Sequence, residues 1–293
     1  MELFIQQLIN GISIGSQYAL WTVGYGLVYQ VLGLMHFAHG DTLIFAAFVF
    51  TTLVIAGVPL WAAILVAMLI AALIAVLIER GVYRPLMSRK QIFMAFIAAM
   101  AAGFILRNIA RLIWGVSPVT IGEGLFPSET FVLGGFRVTS NAIINIVVAI
   151  VVVVAFQIFL SRSRHGQAIT AVSQDRETAE LMGINVNRIV ALVYALSAII
   201  GILGLILYIT NFRTITIDLG FTITLKAFIA AIIGGIGSIR GAFIGGMALG
   251  ILESLVGAYI STTLLDAIVI GVLIVFLLFR PNGFVGVKKT VKL

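Results

Sequence analysis

The sequence predicts an all-α fold, a polytopic bundle of transmembrane helices forming a single domain over residues 1–293. Of the 293 residues, 61% are hydrophobic and only 10% charged, against about 25% charged in a soluble globular protein. Most of the outer surface must therefore face lipid, and the mean hydropathy of +1.20 agrees. Three runs, residues 60–78, 142–160 and 189–210, carry no charge at all. Each is close to the roughly 20 residues that cross a hydrocarbon core of about 30 Å.

Charge placement then orders the chain. The net charge is +7 and the pI near 10.0, but 12 of the 18 Lys and Arg fall in three short segments of four each. These are Arg80, Arg84, Arg89 and Lys90; Arg162, Arg164, Arg176 and Arg188; and Arg280, Lys288, Lys289 and Lys292. Basic residues gather in cytoplasmic loops of membrane proteins, so all three segments are assigned to the cytoplasm. No basic-aromatic groove pattern accompanies the charge, which argues against nucleic acid as a partner. With no Cys, disulfides, thiolate metal sites and thiol catalysis are excluded. Met1-Glu2-Leu3 lacks the basic start of a cleavable signal peptide, so the first hydrophobic segment is expected to stay in the protein.

Residues 3–40 hold no Asp, Glu, Lys or Arg but are punctuated by Gly11, Gly15, Gly24, Gly26 and Gly33. They predict one long span followed by a broken or re-entrant stretch ending at residues 36–41. Asp41 and Thr42 are suitable N-caps for a second span over 42–56. Gly57-Val58-Pro59 turns the chain into a third span, ending at Glu79-Arg80. A basic loop over 80–91 follows, with Pro85 at its centre. The fourth span, 92–114, carries Arg107 and Arg111 on one face, near enough to its far end to snorkel to the interface. Residues 115–141 are polar and assigned to the outside. The fifth span leads to the second cytoplasmic loop, 161–188, and the sixth to an outer connection over 211–224. Asp218 and Asp266 are expected at the outer interface. Three shorter apolar pieces complete the chain: 226–239, 241–260 and 267–279. The total is about nine segments, with eight or ten as the bounds because the glycine-rich pieces can be re-entrant. Parity puts the N-terminus outside and the C-terminus in the cytoplasm.

Within this frame the polar residues are few enough to weigh singly. His36 and His39 flank the helix break close to Asp41; they either line a pathway or cap a broken helix. As a metal site these three lack further partners. Lys226 and Glu253 lie within or at the end of apolar segments, where a charge is costly, so they should face the bundle interior, water or each other. The run from Gly234 to Gly241 lacks the Lys-Ser/Thr pair of a phosphate-binding loop. Its glycines Gly234, Gly235, Gly237 and Gly241, with Gly245, are expected to shape a sharp turn and close helix packing, and Gly246 and Gly250 repeat the four-residue spacing. No extramembrane segment reaches 30 residues, too few for a catalytic domain with its own core.

The loop 161–188 is the most informative soluble piece. Residues 167–181 predict a short amphipathic helix with Asp175, Arg176, Glu177 and Glu180 among apolar Ala168, Ile169, Ala171, Val172, Ala179 and Leu181. Gly183 ends it. Such a helix can lie on a bilayer, but its acids fit a protein socket better than an anionic lipid surface.

Glu177-Thr-Ala179-Glu-Leu-Met-Gly183 resembles the E-A-A-x-x-x-G loop of ABC importer permeases, with Thr178 in place of the first Ala. The segments 10–20, 33–40, 79–85, 181–188 and 234–242 resemble the permeases of branched-chain amino acid importers, in the expected order from about residue 6 to 286. His36 stands where that family usually has Asn, and Arg240 where Pro is frequent. The resemblance implies an ABC importer permease fold working by alternating access in the bacterial inner membrane. It implies that Asp175, Arg176, Glu177, Ala179, Glu180, Leu181 and Gly183 form a coupling helix seated in a groove of a cytoplasmic ATPase. It also implies a second, similar permease as heterodimer partner and an extracytoplasmic substrate-binding protein. ATP and Mg would be held on the ATPase subunits, and no cofactor is expected on this chain. Urea, short-chain amides or other small polar solutes are the alternative substrates. A passive channel or ion-coupled carrier would leave the amphipathic loop without a partner, and an intramembrane enzyme would need a nucleophile that the His36–Asp41 cluster lacks.

Overall fold

The computed structural model describes residues 2–89, 91–122, 129–133, 136–235, 237–280 and 283–285. Lys90, Glu123 and the lysines of the tail lie outside the described residues. The chain opens with α1 (Glu2–Leu32), α2 (His39–Ile55) and α3 (Leu60–Ile78), the last continuing through a π-helical turn (Glu79–Tyr83) into α4 (Arg84–Ser88). Next come α5 (Ile92–Trp114), the strands β1 (Val119–Thr120), β2 (Thr130–Leu133) and β3 (Phe136–Thr139), and α6 (Ser140–Arg162). Then follow α7 (Arg164–Gln174), α8 (Arg176–Leu181), α9 (Val186–Phe212), β4 (Thr214–Ile215), α10 (Leu219–Gly234), α11 (Ile239–Tyr259) and α12 (Leu265–Phe279). Among the described residues, five helical stretches can each cross a membrane by length and composition: α3 through α4, α5, α6, α9 and α11. The apolar helices α2, α10 and α12 are shorter.

Small residues decide how these helices pack. In α3, Ala63, Ala67, Ala71 and Ala75 are buried at four-residue spacing, while Leu65, Leu69, Leu73 and Leu77 are exposed. One stripe thus meets α9 and the opposite one is left for lipid. In α5, Ala95, Ala99 and Gly103 form a similar buried stripe, and Gly103 lies against Ala38 and Asp41. Between apolar helices in lipid the hydrophobic effect supplies no drive, so close van der Waals packing along small residues does the work. The most extensive contact is between α1 and α11, which run antiparallel. A Cβ at Gly11 would stand 2.7 Å from the Cα of Ile251, and one at Gly15 2.8 Å from the Met247 carbonyl oxygen. Gly246 and Gly250 of α11 likewise abut the backbone of Ala19 and Gly15. The two backbones touch, and α1 is buried through nearly all its length from Gly15 to Val28.

Two ends of the bundle follow from the contacts. At one end, β1 pairs antiparallel with β4, Val119 opposite Ile215, and β2 pairs with β3. Gln6 of α1 joins this end through Arg137, accepting from its backbone N–H and donating to its carbonyl. At the other end lie α4, α7 and α8, where Arg84 donates to the carbonyl of Asn187. Phe284 and Val285 also return there, donating to the carbonyls of Ile233 and Gly234. The described residues of the segments read as outer connections therefore share one end with the start of α1, and those of the first two basic segments, with Phe284 and Val285, share the other.

Several boundaries differ from expectation. The second span starts at His39, with Ala38 at the cap and no side-chain cap; Asp41 lies in the first turn and is committed to an arginine instead. The stretch 80–91 is not a loop, because helix continues to Ser88. Pro85 stands in the first turn of α4, where a missing N–H costs little. The helix expected over 167–181 is two helices. Asp175 adopts an extended conformation (φ −154°, ψ 110°), and its side chain accepts from the backbone N–H and the hydroxyl of Thr178. An N-cap aspartate offers the backbone an alternative to helix continuation, and here it prevails.

Candidate functional site

Asp41 is gripped where three helices meet. Arg107 of α5 reaches both carboxylate oxygens, with its nearest nitrogen 2.9 Å from Oδ1. A Cβ at Gly220 of α10 would stand 2.5 Å from Oδ1, and one at Gly103 of α5 2.6 Å from Oδ2. Two glycines thus make room for the carboxylate, and Gly40 donates its N–H to the Thr224 hydroxyl at 2.9 Å. Arg107 does not snorkel: its side chain is only 13% exposed. Arg111, one turn further on, pairs with Asp218 at 2.7 Å in a solvated position.

His36 and His39 are buried among aromatic rings. His36 Nδ1 lies 2.9 Å from the Tyr83 hydroxyl, and its ring meets Tyr194, Tyr83 and His39 edge-on at 5.0, 5.4 and 5.8 Å. His39 Nδ1 is 3.5 Å from the Ser197 hydroxyl, and Gly24 and Gly201 let α1 and α9 close around its ring. Tyr83 reaches this cluster from the π-helical turn, which also buries Glu79. Arg84 forms a two-pronged contact with Glu79 at 2.9 and 2.8 Å.

Lys226 and Glu253 meet deep between α10 and α11. Lys226 Nζ donates to Glu253 Oε2 at 2.9 Å and to the Tyr18 hydroxyl at 3.1 Å, while Tyr18 donates to the same Oε2 at 2.7 Å. The ammonium also lies 5.0 Å from the centre of the Tyr18 ring, close enough for a cation–π contact. Glu253 Oε1 is buried and has no hydrogen-bond partner among the described residues. Glu253 also lines a cavity of about 640 Å³ at the end of the bundle that carries the strands. Gln7, Asn10 and Ser13 of α1, Asn141 of α6 and Thr210 of α9 contribute to its wall.

The segment with the E-A-A-x-x-x-G resemblance stands apart at the basic end. Ala179 is buried, whereas Leu181 and Met182 are 88% and 79% exposed. Gly183 has φ +85°, its N–H donates to the Glu180 carbonyl, and that of Ile184 donates to Ala179. This pair of bonds is the Schellman stop, and it presents two large apolar side chains beside Glu177 and Glu180. Gly235 (φ +103°) and Gly237 (φ +93°) make the turn between α10 and α11, across which Gly241 and Gly245 lie against Gly234.

Sequence reasoning missed Tyr18, Arg107 as the partner of Asp41, and the polar wall of the cavity. Arg107 carried a signal, since a second charge within an apolar segment needs a counter-charge. Tyr18 carried none, because a tyrosine among apolar residues is ordinary.

A bundle of apolar helices closed by small residues, with charges paired inside it and an amphipathic helix held out at its basic end, is a membrane permease subunit. Residues 7–278 match the family described as branched-chain amino acid transport system, permease component, and the chain belongs to that family. It is 34% identical to the high-affinity branched-chain amino acid transport system permease protein LivH of Escherichia coli K12, over 97% of this chain and 96% of that protein. Its identity to BraD of Pseudomonas aeruginosa is also 34%, with the same coverage. In fold it is similar to PsaBC from Streptococcus pneumoniae, with a TM-score of 0.50 at 15% identity over 95% of this chain and 91% of the other. The chain is accordingly a multi-pass inner-membrane protein and the permease subunit of an ABC importer, a transport component rather than an enzyme.

Proposed function

We propose that the subunit carries branched-chain or related hydrophobic amino acids into the cytoplasm by ATP-driven alternating access. The observation that carries this reading is the likeness to LivH and BraD, which covers 97% of the chain. On this reading the strand-bearing end is outside, where a binding protein delivers its solute, and the basic end is cytoplasmic. About nine helical segments traverse the bilayer, and the N-terminus lies outside. Asp175, Arg176, Glu177, Ala179, Glu180, Leu181 and Gly183 seat in an ATPase subunit, which holds the ATP and Mg. A second, similar permease completes the pathway. His36, His39, Asp41, Lys226 and Glu253 contribute to its walls or to the packing that moves them.

The test is ATP hydrolysis by the reconstituted complex with its cognate binding protein and each candidate solute in turn. Stimulation by leucine, isoleucine or valine is expected; stimulation by none of them would sink the substrate assignment. Urea or a short-chain amide is the alternative, favoured by the polar cavity beside Glu253, and the same assay separates the two.

A further inference from the structure

Apolar packing does not call for a carboxylate in the π-helical turn Glu79–Tyr83. Glu79 is nevertheless buried there, and a buried charge is costly unless it is paired. Its partner, Arg84, stands five positions on. On an α-helix of 3.6 residues per turn, side chains five apart point about 140° from one another and do not meet. Here the backbone N–H of Arg84 donates to the Glu79 carbonyl, the i→i+5 bond of a π-helix, and the two side chains close over it. Nε reaches Oε1 at 2.9 Å and Nη2 reaches Oε2 at 2.8 Å. The pair is a product of the π register and, once formed, holds the turn in it.

The same guanidinium reaches a third group. Nη2 also donates to the Asn187 carbonyl at 3.1 Å, in the first turn of α9 and just past the stop at Gly183. At the other end of the π-helical turn, the buried Tyr83 places its hydroxyl 2.9 Å from His36 Nδ1 and its ring 5.3 Å from that of Tyr194. Tyr194 lies about two turns along α9 from Asn187, a rise of about 10 Å. The turn therefore grips α9 at two levels, through Arg84 at its entry and through Tyr83 further in. The second grip includes His36, at the break between α1 and α2.

We propose that Arg84 is a positioning residue for the transport step. It ties the π-helical turn to the start of α9, so that movement of the ATPase-docking segment is delivered to Tyr83 and the helix break at His36. The inference rests on the reading of α8 as that docking segment. The short connection over Ile184 and Asn185, stitched back to Ala179 by the Ile184 N–H, passes a displacement of α8 into α9. Van der Waals packing along the alanine stripe of α3 is non-directional and permits sliding against α9, whereas the three directed bonds of Arg84 do not. Arginine suits the position because its planar fork bonds a carboxylate in two prongs and still offers a donor to a carbonyl.

The test uses the assembled transporter in proteoliposomes with its cognate binding protein and radiolabelled leucine, or in its place whichever candidate solute stimulates the wild type. Uptake per ATP hydrolysed is read together with the amount of assembled complex and its melting temperature. Glu79→Leu combined with Arg84→Met removes the link without stranding a charge. Basal hydrolysis should be unchanged, and uptake per ATP should fall at least about fivefold. Tyr83→Phe cuts the link at its other end, keeping the ring and losing the hydroxyl, and should lower the ratio about threefold. A purely structural pair would reduce assembly, uptake and hydrolysis together and leave the ratio where it was. An unchanged ratio in either variant that assembles overturns the proposal. Glu177→Lys, measured alongside, separates the two levels. If it leaves solute-stimulated hydrolysis intact, the docking reading falls and this inference with it. If it abolishes that stimulation while the link variants keep the wild-type ratio, this inference alone falls.

Discussion

Among the described residues the bundle contains two deeply placed ion pairs, and they are built in opposite ways. Asp41–Arg107 is two-pronged: both carboxylate oxygens are engaged, glycine backbone lies against the carboxylate, and the space beside it is only about 20 Å³. Lys226–Glu253 engages one oxygen, leaves the other unmet and borders a cavity of about 640 Å³. Exposure does not separate them, since the side chains are 13% and 6% exposed in the first pair and 16% and 7% in the second. What separates them is whether the coordination is closed. A closed pair fastens α2, α5 and α10 together, whereas an open one leaves an acceptor unused.

The largest expected effect lies at the closed pair. Asp41→Ala strands the Arg107 charge in a tight apolar site, and removing one partner of a buried pair costs about 3–5 kcal/mol. The purified complex should show a lowered apparent melting temperature and a reduced yield of assembled subunit. Asp41→Leu combined with Arg107→Met should recover most of that loss, because the stranded charge is gone and the replacements fill similar volume. A double variant as unstable as the single one would show that the pair does more than neutralise itself.

Lys226→Met tests the other side of the comparison. It leaves Glu253 without its cation, but Tyr18 still donates to the carboxylate and a polar cavity lies beside it. The loss should fall short of that of Asp41→Ala by at least about 1 kcal/mol, read from the same melting curves, while solute uptake falls more than the amount of assembled subunit does. If Lys226→Met proved the more destabilising of the two, the contrast between a closed and an open pair would be wrong.

The contrast was only half legible in the sequence. The cost of a charge in lipid marked Lys226 and Glu253 as interior residues, and the two lie 27 positions apart on adjacent helices, so their meeting follows once α10 and α11 form a tight hairpin over Gly235 and Gly237. Asp41 and Arg107 are 66 positions apart on helices that are not consecutive. Periodicity places Arg107 on a face but does not say which helix that face meets, and nearness to a span end suggested solvent instead. The alanine stripe of α3 and the glycines of α11 were readable because small residues at four-residue spacing have one efficient use. The break at Asp175 was not, because amphipathic periodicity runs through it and only the local competition of the aspartate side chain for the Thr178 N–H stops the helix. Tyr18 and the cavity wall required the tertiary structure, since polar residues near a helix end have an adequate explanation in solvation.

The smallest structural effect is expected where the functional one is large. Glu177 is exposed on α8, away from both ion pairs, so Glu177→Lys should change stability by no more than about 0.5 kcal/mol and leave membrane insertion intact. The segment it belongs to has little else to do within the subunit. Leu181 and Met182 point away from the bundle, and Gly183 holds them there with a backbone that most residues would strain. If that surface docks into an ATPase, reversing a charge beside the apolar tip should abolish solute-stimulated ATP hydrolysis in reconstituted vesicles while the melting temperature stays put. Coupling that survives the reversal would remove α8 from the interface. An opposite result at the open pair, with uptake lost but hydrolysis still stimulated by the loaded binding protein, would place Lys226 and Glu253 on the solute's route rather than in the transmission of the ATPase stroke.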